Sequence, residues 1–227
     1  MGLSATQYNM FFSFYFLPNV IMPLFTGYLA DLFGRKTGLL FCATMITLGH
    51  FFFAFGVSSR SFVLSVLGRF IFGIGAESYQ AVTIEILTFW NIEFVSFSLA
   101  VQSAAEGLGS GLNNFLMPQL YSITANLPMN FWIGLAFAVL CLFSSFTFGL
   151  IESYTANRRP QSQETKNIKL SGIFNFPSLF WLLTLHVCFF DTNTSSFCAI
   201  AGGMSQTRFG FDVEESGILI VNHDITK

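Results

Sequence analysis

Apolar runs long enough to cross a membrane, broken by short polar intervals, dominate the chain. A spanning helix needs about 20 predominantly apolar residues. Six stretches meet that length: roughly 8–30, 37–57, 61–84, 94–118, 130–152 and 177–200. A seventh begins near Glu214. The pattern predicts an all-α fold, a multi-pass bundle of transmembrane helices. Residues 1–7 carry neither the basic charge nor the cleavage pattern of a signal peptide, so the first stretch reads as a helix of the bundle. The longest polar interval, 153–176, contains Pro160 and reads as a linker. The expected organisation is a bundle at 1–152, a cytoplasmic linker at 153–176 and the start of a second bundle at 177–227.

Charge placement sets the expected orientation. Arg35 and Lys36 follow the first stretch, and Arg158, Arg159, Lys166 and Lys169 follow the fifth. The alternate intervals offer Arg60 and Arg208. Loops rich in Lys and Arg stay in the cytoplasm, so the N-terminus is expected outside and the linker inside.

Composition agrees with a bilayer as the surrounding medium. The chain is 53% hydrophobic and 10% charged, where a soluble domain carries about 25% charge. A net charge of −2 gives no basic patch for phosphates, so a nucleic-acid partner is not expected. Cys42, Cys141, Cys188 and Cys198 sit in apolar stretches, with neither CxxC spacing nor His partners at ligand intervals. No Walker loop, activated nucleophile or metal cluster is visible. Neither an enzyme nor a bound cofactor is expected.

Ionisable groups inside the hydrocarbon cost several kcal/mol unless they face a cavity or a partner. Glu77, Glu106 and Asp191 each fall in the middle third of their stretches. If they share one cavity, they make a negatively polarised site suited to a cationic or zwitterionic solute, or to a proton. Arg69 lies two turns from Glu77 but about 80° away around the helix, so an ion pair between them within the helix is disfavoured and one across helices stays open. In the fourth stretch Gln102, Glu106 and Asn113, flanked by Ser103, Ser110 and Asn114, recur at helical spacing down one side. Such a stripe faces protein or water rather than lipid, either lining a cavity or joining helices. Gly107 and Gly111 beside it allow close helix packing. In the sixth stretch the run Asp191 to Ser196 is polar all round, which predicts a kinked or water-lined segment. His186 has two readings, a proton relay or a simple hydrogen bond to a neighbour. Glu85, Glu93 and Glu152 are expected to be solvated near the boundary, and His50 to be interfacial.

The interval after the first stretch reads Gly27-Tyr28-Leu29-Ala30-Asp31-Leu32-Phe33-Gly34-Arg35-Lys36-Thr37-Gly38-Leu39. It resembles the loop signature between helices two and three of the major facilitator superfamily, G-x-L-A-D-R-x-G-R-K-x-x-L, departing from it at Leu32. Gly68-Arg69-Phe70-Ile71-Phe72-Gly73-Ile74-Gly75 resembles that superfamily's R-x-x-x-G-x-G motif in helix four. The resemblance implies a transporter working by alternating access, with the visible stretches as helices two to seven and the start of eight. It also implies an incomplete fold, and hence the alternative of a truncated isoform or fragment without transport of its own, acting at most as an interaction partner. Pro18-Asn19-Val20, the run from Gly68 to Ser78 and the run from Asn114 to Ser122 are similar to a family of lysosomal dipeptide exporters within it. That similarity implies a lysosomal membrane, a small-molecule substrate and a glycosylated lysosomal membrane protein as partner. It puts Glu77 on the family's helix-four glutamate, and Gly107 where the family carries a substrate-serving arginine.

Overall fold

A computed structural model describes residues 4–19, 21–22, 25–26, 34–90, 92–156, 176–212 and 215–216. Its helices are α1 (Ala5–Asn19), α2 (Arg35–Ser58), α3 (Phe62–Trp90), α4 (Val95–Thr124), α5 (Leu127–Ala156) and α6 (Ser178–Phe209). A 3-10 turn at Ile92–Phe94 precedes α4. The chain divides into two compact units, residues 1–105 with 123–161 and residues 106–122 with 162–227.

Local chemistry sets the helix ends. Ser4 and Gln7 form a reciprocal capping box at the start of α1: the Gln7 amide N–H donates to Ser4 Oγ at 3.3 Å, and the Ser4 N–H donates to Gln7 Oε1 at 3.0 Å. At the end of α2, Arg60 takes a left-handed φ of 55°. The Ser61 N–H then reaches back to Gly56 O at 2.9 Å and the Arg60 N–H to Val57 O at 3.2 Å, closing a Schellman turn. Ser61 also caps α3, accepting the Leu64 N–H at 3.4 Å. Gly210, with φ 69°, ends α6.

In the first unit α2 packs against both α3 and α5, and α1 packs on α3. The α2–α3 seam is built from small residues. A Cβ on Gly49 would run into the Phe72 backbone, and one on Gly68 into the Phe53 backbone. A Cβ on Gly56 would lie 2.6 Å from Ser65 N, and one on Gly75 2.6 Å from Cys42 O. Close backbone approach of this kind drives helix association where lipid removes the hydrophobic incentive. Toward the Arg35 end the core comprises Leu39, Cys42, Val82 and Ile86, with Phe148 of α5 packed against them. Toward the other end Phe53 makes edge contacts with Phe11 of α1 (5.6 Å) and Phe131 of α5 (4.9 Å). Hydroxyls along the helices donate to the carbonyl one turn back, as Thr44 does to Leu40 O (2.7 Å) and Ser145 to Cys141 O (2.9 Å). This removes their polarity from the lipid-facing surface.

Among the described residues three helices are long and apolar enough to cross a membrane: α2, α3 and α5 as far as Tyr154. Of the six stretches expected from the sequence, the first lies partly outside the described residues, and α4 and α6 are less apolar for identifiable reasons. In α4 the polar stripe lowers the apolarity of a 30-residue helix. In α6 only Ser178–Phe190 is apolar, because the polar run follows. Backbone helix nevertheless continues without a break from Ser178 to Phe209, so the run at 191–196 does not interrupt it. α5 extends to Ala156, beyond the expected start of the linker at 153.

Candidate substrate site on α3 and α4

Arg69, Gly73 and Glu77 succeed one another at four-residue intervals on α3, on the side that meets α1. Gly73 admits α1: a Cβ there would collide with Tyr15 O. This close approach brings the Tyr15 hydroxyl to Glu77, donating to Oε1 at 3.1 Å. The Tyr15 ring is steadied by Phe16 (4.9 Å) and Phe72 (5.9 Å). Glu77 is half-buried, and no cation among the described residues pairs with it.

Arg69 turns elsewhere. Its guanidinium lies over the Phe53 ring, 4.2 Å from the centroid, and its Nε is buried without a hydrogen-bond partner. The aromatic face offers the cation about 2 kcal/mol when both are desolvated, in place of a carboxylate. Neither amide atom of Asn19, one turn beyond Tyr15, has a hydrogen-bond partner. Tyr15 was not singled out by sequence reasoning, and Asn19 entered it only within the run Pro18-Asn19-Val20. A tyrosine and an asparagine four residues apart, on one face of the helix, were the available signal.

On α4, Gln102 reaches back to α3, donating from Nε2 to Thr83 Oγ1 at 3.1 Å. This residue joins helices. Glu106 and Asn113 are exposed, one and three turns further along. Gln102 belongs to the first unit, as Glu77 does, while Glu106, Asn113 and Asp191 belong to the second. Asp191 lies within α6, and its side chain falls outside those described.

The basic residues of the loop motif act as clasps. Gly34 holds φ 86°, a backbone conformation that L side chains rarely adopt, and α2 begins at the next residue. Arg35 Nε meets Glu85 Oε1 of α3 at 2.9 Å, with its guanidinium 3.8 Å from the Phe89 ring. Lys36 Nζ donates to Ser153 Oγ of α5 at 2.7 Å. Glu85 is therefore tied into an ion pair rather than solvated. Glu152 also differs from expectation, for its Oε2 is buried without a hydrogen-bond partner. Glu93 is exposed. Gly27 and Asp31 lie outside the described residues. His50 is half-buried between helices, its Nε2 3.2 Å from Phe131 O of α5.

A glycine-paired α2–α3 seam, a motif arginine and a half-buried glutamate on α3 are features of a helical membrane protein. The sequence profile described as Major Facilitator Superfamily matches residues 1–221. The chain belongs to the Major Facilitator Superfamily. It is an integral membrane protein, and its helices form part of a major facilitator fold. Among curated proteins it is similar to the human lysosomal dipeptide transporter MFSD1, 25% identical over 96% of this chain and 50% of that protein. The mouse protein of the same name is 28% identical over 83% of this chain and 43% of its own length. Multidrug resistance protein 1 of Bacillus subtilis is 24% identical over 97% of this chain and 54% of its own. The chain thus spans about half the length of the curated relatives it matches. No solved structure matches it.

Proposed function

We propose that this chain supplies the acidic side of a substrate site in a transporter for small polar solutes bearing a protonated amine, dipeptides among them. The observation that carries this reading is Glu77, a half-buried carboxylate midway along α3 whose one hydrogen bond among the described residues comes from the neutral Tyr15 hydroxyl. A carboxylate held inside a membrane without a cation is costly, and a solute's ammonium group offsets that cost while it is bound. The similarity to proteins named lysosomal dipeptide transporters supports dipeptides as solute and the lysosomal membrane as location. A glycosylated lysosomal membrane protein as partner belongs to the same reading.

Uptake measured in reconstituted vesicles tests it, with a free dipeptide and its N-acetylated form as paired solutes. Transport of the free dipeptide should exceed that of the acetylated form. Glu77→Gln should lower apparent affinity roughly ten- to a hundredfold, the worth of one charge-assisted contact. Equal transport of the two solutes, or unchanged kinetics in the variant, would leave Glu77 as a contact between α1 and α3 alone.

A further inference from the structure

α2 and α5 run antiparallel and are fastened at two levels. At one level Lys36 Nζ bonds Ser153 Oγ, while the Lys36 stem lies against Gly149, where a Cβ would come within 3.1 Å of Lys36 Cγ. At the other, Thr47 Oγ1 donates to Ala138 O at 3.2 Å and His50 Nε2 lies 3.2 Å from Phe131 O. Between these levels Phe148 of α5 still packs on the core cluster of Leu39 and Cys42, while the adjoining faces of the two helices leave a groove. The space left is a bay of about 480 Å³, lined by Leu40, Thr44, Val139, Leu142, Phe143 and Phe146. Its walls are apolar: the single hydroxyl, on Thr44, is spent on Leu40 O.

We propose that this bay holds one acyl chain of a phospholipid whose phosphate is bound by Lys36. Three observations favour that occupant. Lys36, Leu40 and Thr44 follow at four-residue intervals, so the cation stands at the mouth of the same face that lines the bay. Lys36 to Thr44 spans about 12 Å along the helix, close to the roughly 15 Å depth of one leaflet's hydrocarbon. Lys36 also makes no ion pair among the described residues: its one hydrogen bond goes to a neutral hydroxyl, which leaves two ammonium protons to donate. Arg35 beside it is already committed to Glu85. Glu152 lies within electrostatic reach of both cations, so the mouth offers a phosphate directed donors rather than a broad positive field.

The proposal is tested on the full chain in phosphatidylcholine vesicles carrying a trace of photoreactive phosphatidylcholine, with a diazirine midway along one acyl chain. Peptide mapping should find label concentrated at residues 40–44 and 139–146. Lys36→Ala should reduce that labelling roughly tenfold, as expected for one lost charge-assisted contact, and Lys36→Arg should restore it. Ser153→Ala removes the clasp but keeps the charge, and should leave labelling intact. Thr44→Trp should fill the bay and abolish labelling there. A photoreactive diacylglycerol with the same chains but no phosphate should label the bay weakly. Equal labelling by the diacylglycerol overturns the phosphate contact, and label spread evenly along the exposed faces of α2 and α5 overturns the site itself. Both readouts use the unaltered chain, so they stand even if a variant fails to fold.

Discussion

Tyr15 and Glu77 touch through one hydrogen bond across 62 positions of sequence, and the phenol fixes where the carboxylate points. Tyr15→Phe keeps the ring against Phe16 and Phe72 and removes the donor. A hydrogen bond to a charged group is worth about 1.5–3 kcal/mol. The variant should therefore shift apparent solute affinity at least several-fold, measured by uptake, and lower the thermal midpoint by a few degrees, measured by scanning fluorimetry. An unchanged affinity would show that Glu77 needs no positioning. Glu77 itself was legible in the sequence, because an acid in mid-span stands out against apolar neighbours. Its partner was not, because tyrosine is an ordinary residue near membrane interfaces and only the Gly73 contact brings α1 close enough. Arg69 shows the converse: the sequence left open a cross-helix ion pair with an acid, and the structure gives it an aromatic face. The periodicity of one helix carries no information about which ring on another helix will lie opposite.

At the scale of elements, the glycines of the α2–α3 hairpin divide into those that hold a seam and those that hold nothing. Gly49→Ala drives a Cβ into the Phe72 backbone, so the helices must part. A change of this kind costs about 1–3 kcal/mol, and the thermal midpoint should fall clearly. Gly109→Ala on α4 meets open space and should be neutral or stabilising by up to about 1 kcal/mol through helix propensity. Similar losses at both sites would show that the seam is not the source of the sensitivity. Hydropathy gave the positions of α2, α3 and α5 well, since each is apolar along its length. α4 and α6 belong to the same fold, although a polar stripe and a polar half leave them less apolar by composition. The Arg35 and Lys36 clasps were hidden, for charge at a helix end reads as a boundary marker and its partner on another helix is not encoded locally.

At the scale of the whole molecule, the arrangement of charge across the bilayer can be measured. In a chain whose native cysteines are replaced, Arg60→Cys should react with an impermeant thiol reagent from the outer side and Ser162→Cys from the cytoplasmic side. The reverse pattern would invert the topology. Residues Ser59–Ser61 alone separate α2 from α3, and their hydrogen bonds serve the end of one helix and the start of the next. Closing so short a loop costs little entropy, and the glycine seam lies entirely within the 56 residues from Arg35 to Trp90. During synthesis this pair can therefore assemble as soon as Trp90 has emerged, before α5 has been translated. α2 and α3 would leave the insertion machinery already joined, as one hairpin on which α1 and α5 settle afterwards. A ribosome stalled beyond Trp90 should thus expose a chain in which native Cys42 and a cysteine introduced by Val82→Cys, neighbours in the core between the two helices, are already joined by a short bifunctional thiol reagent.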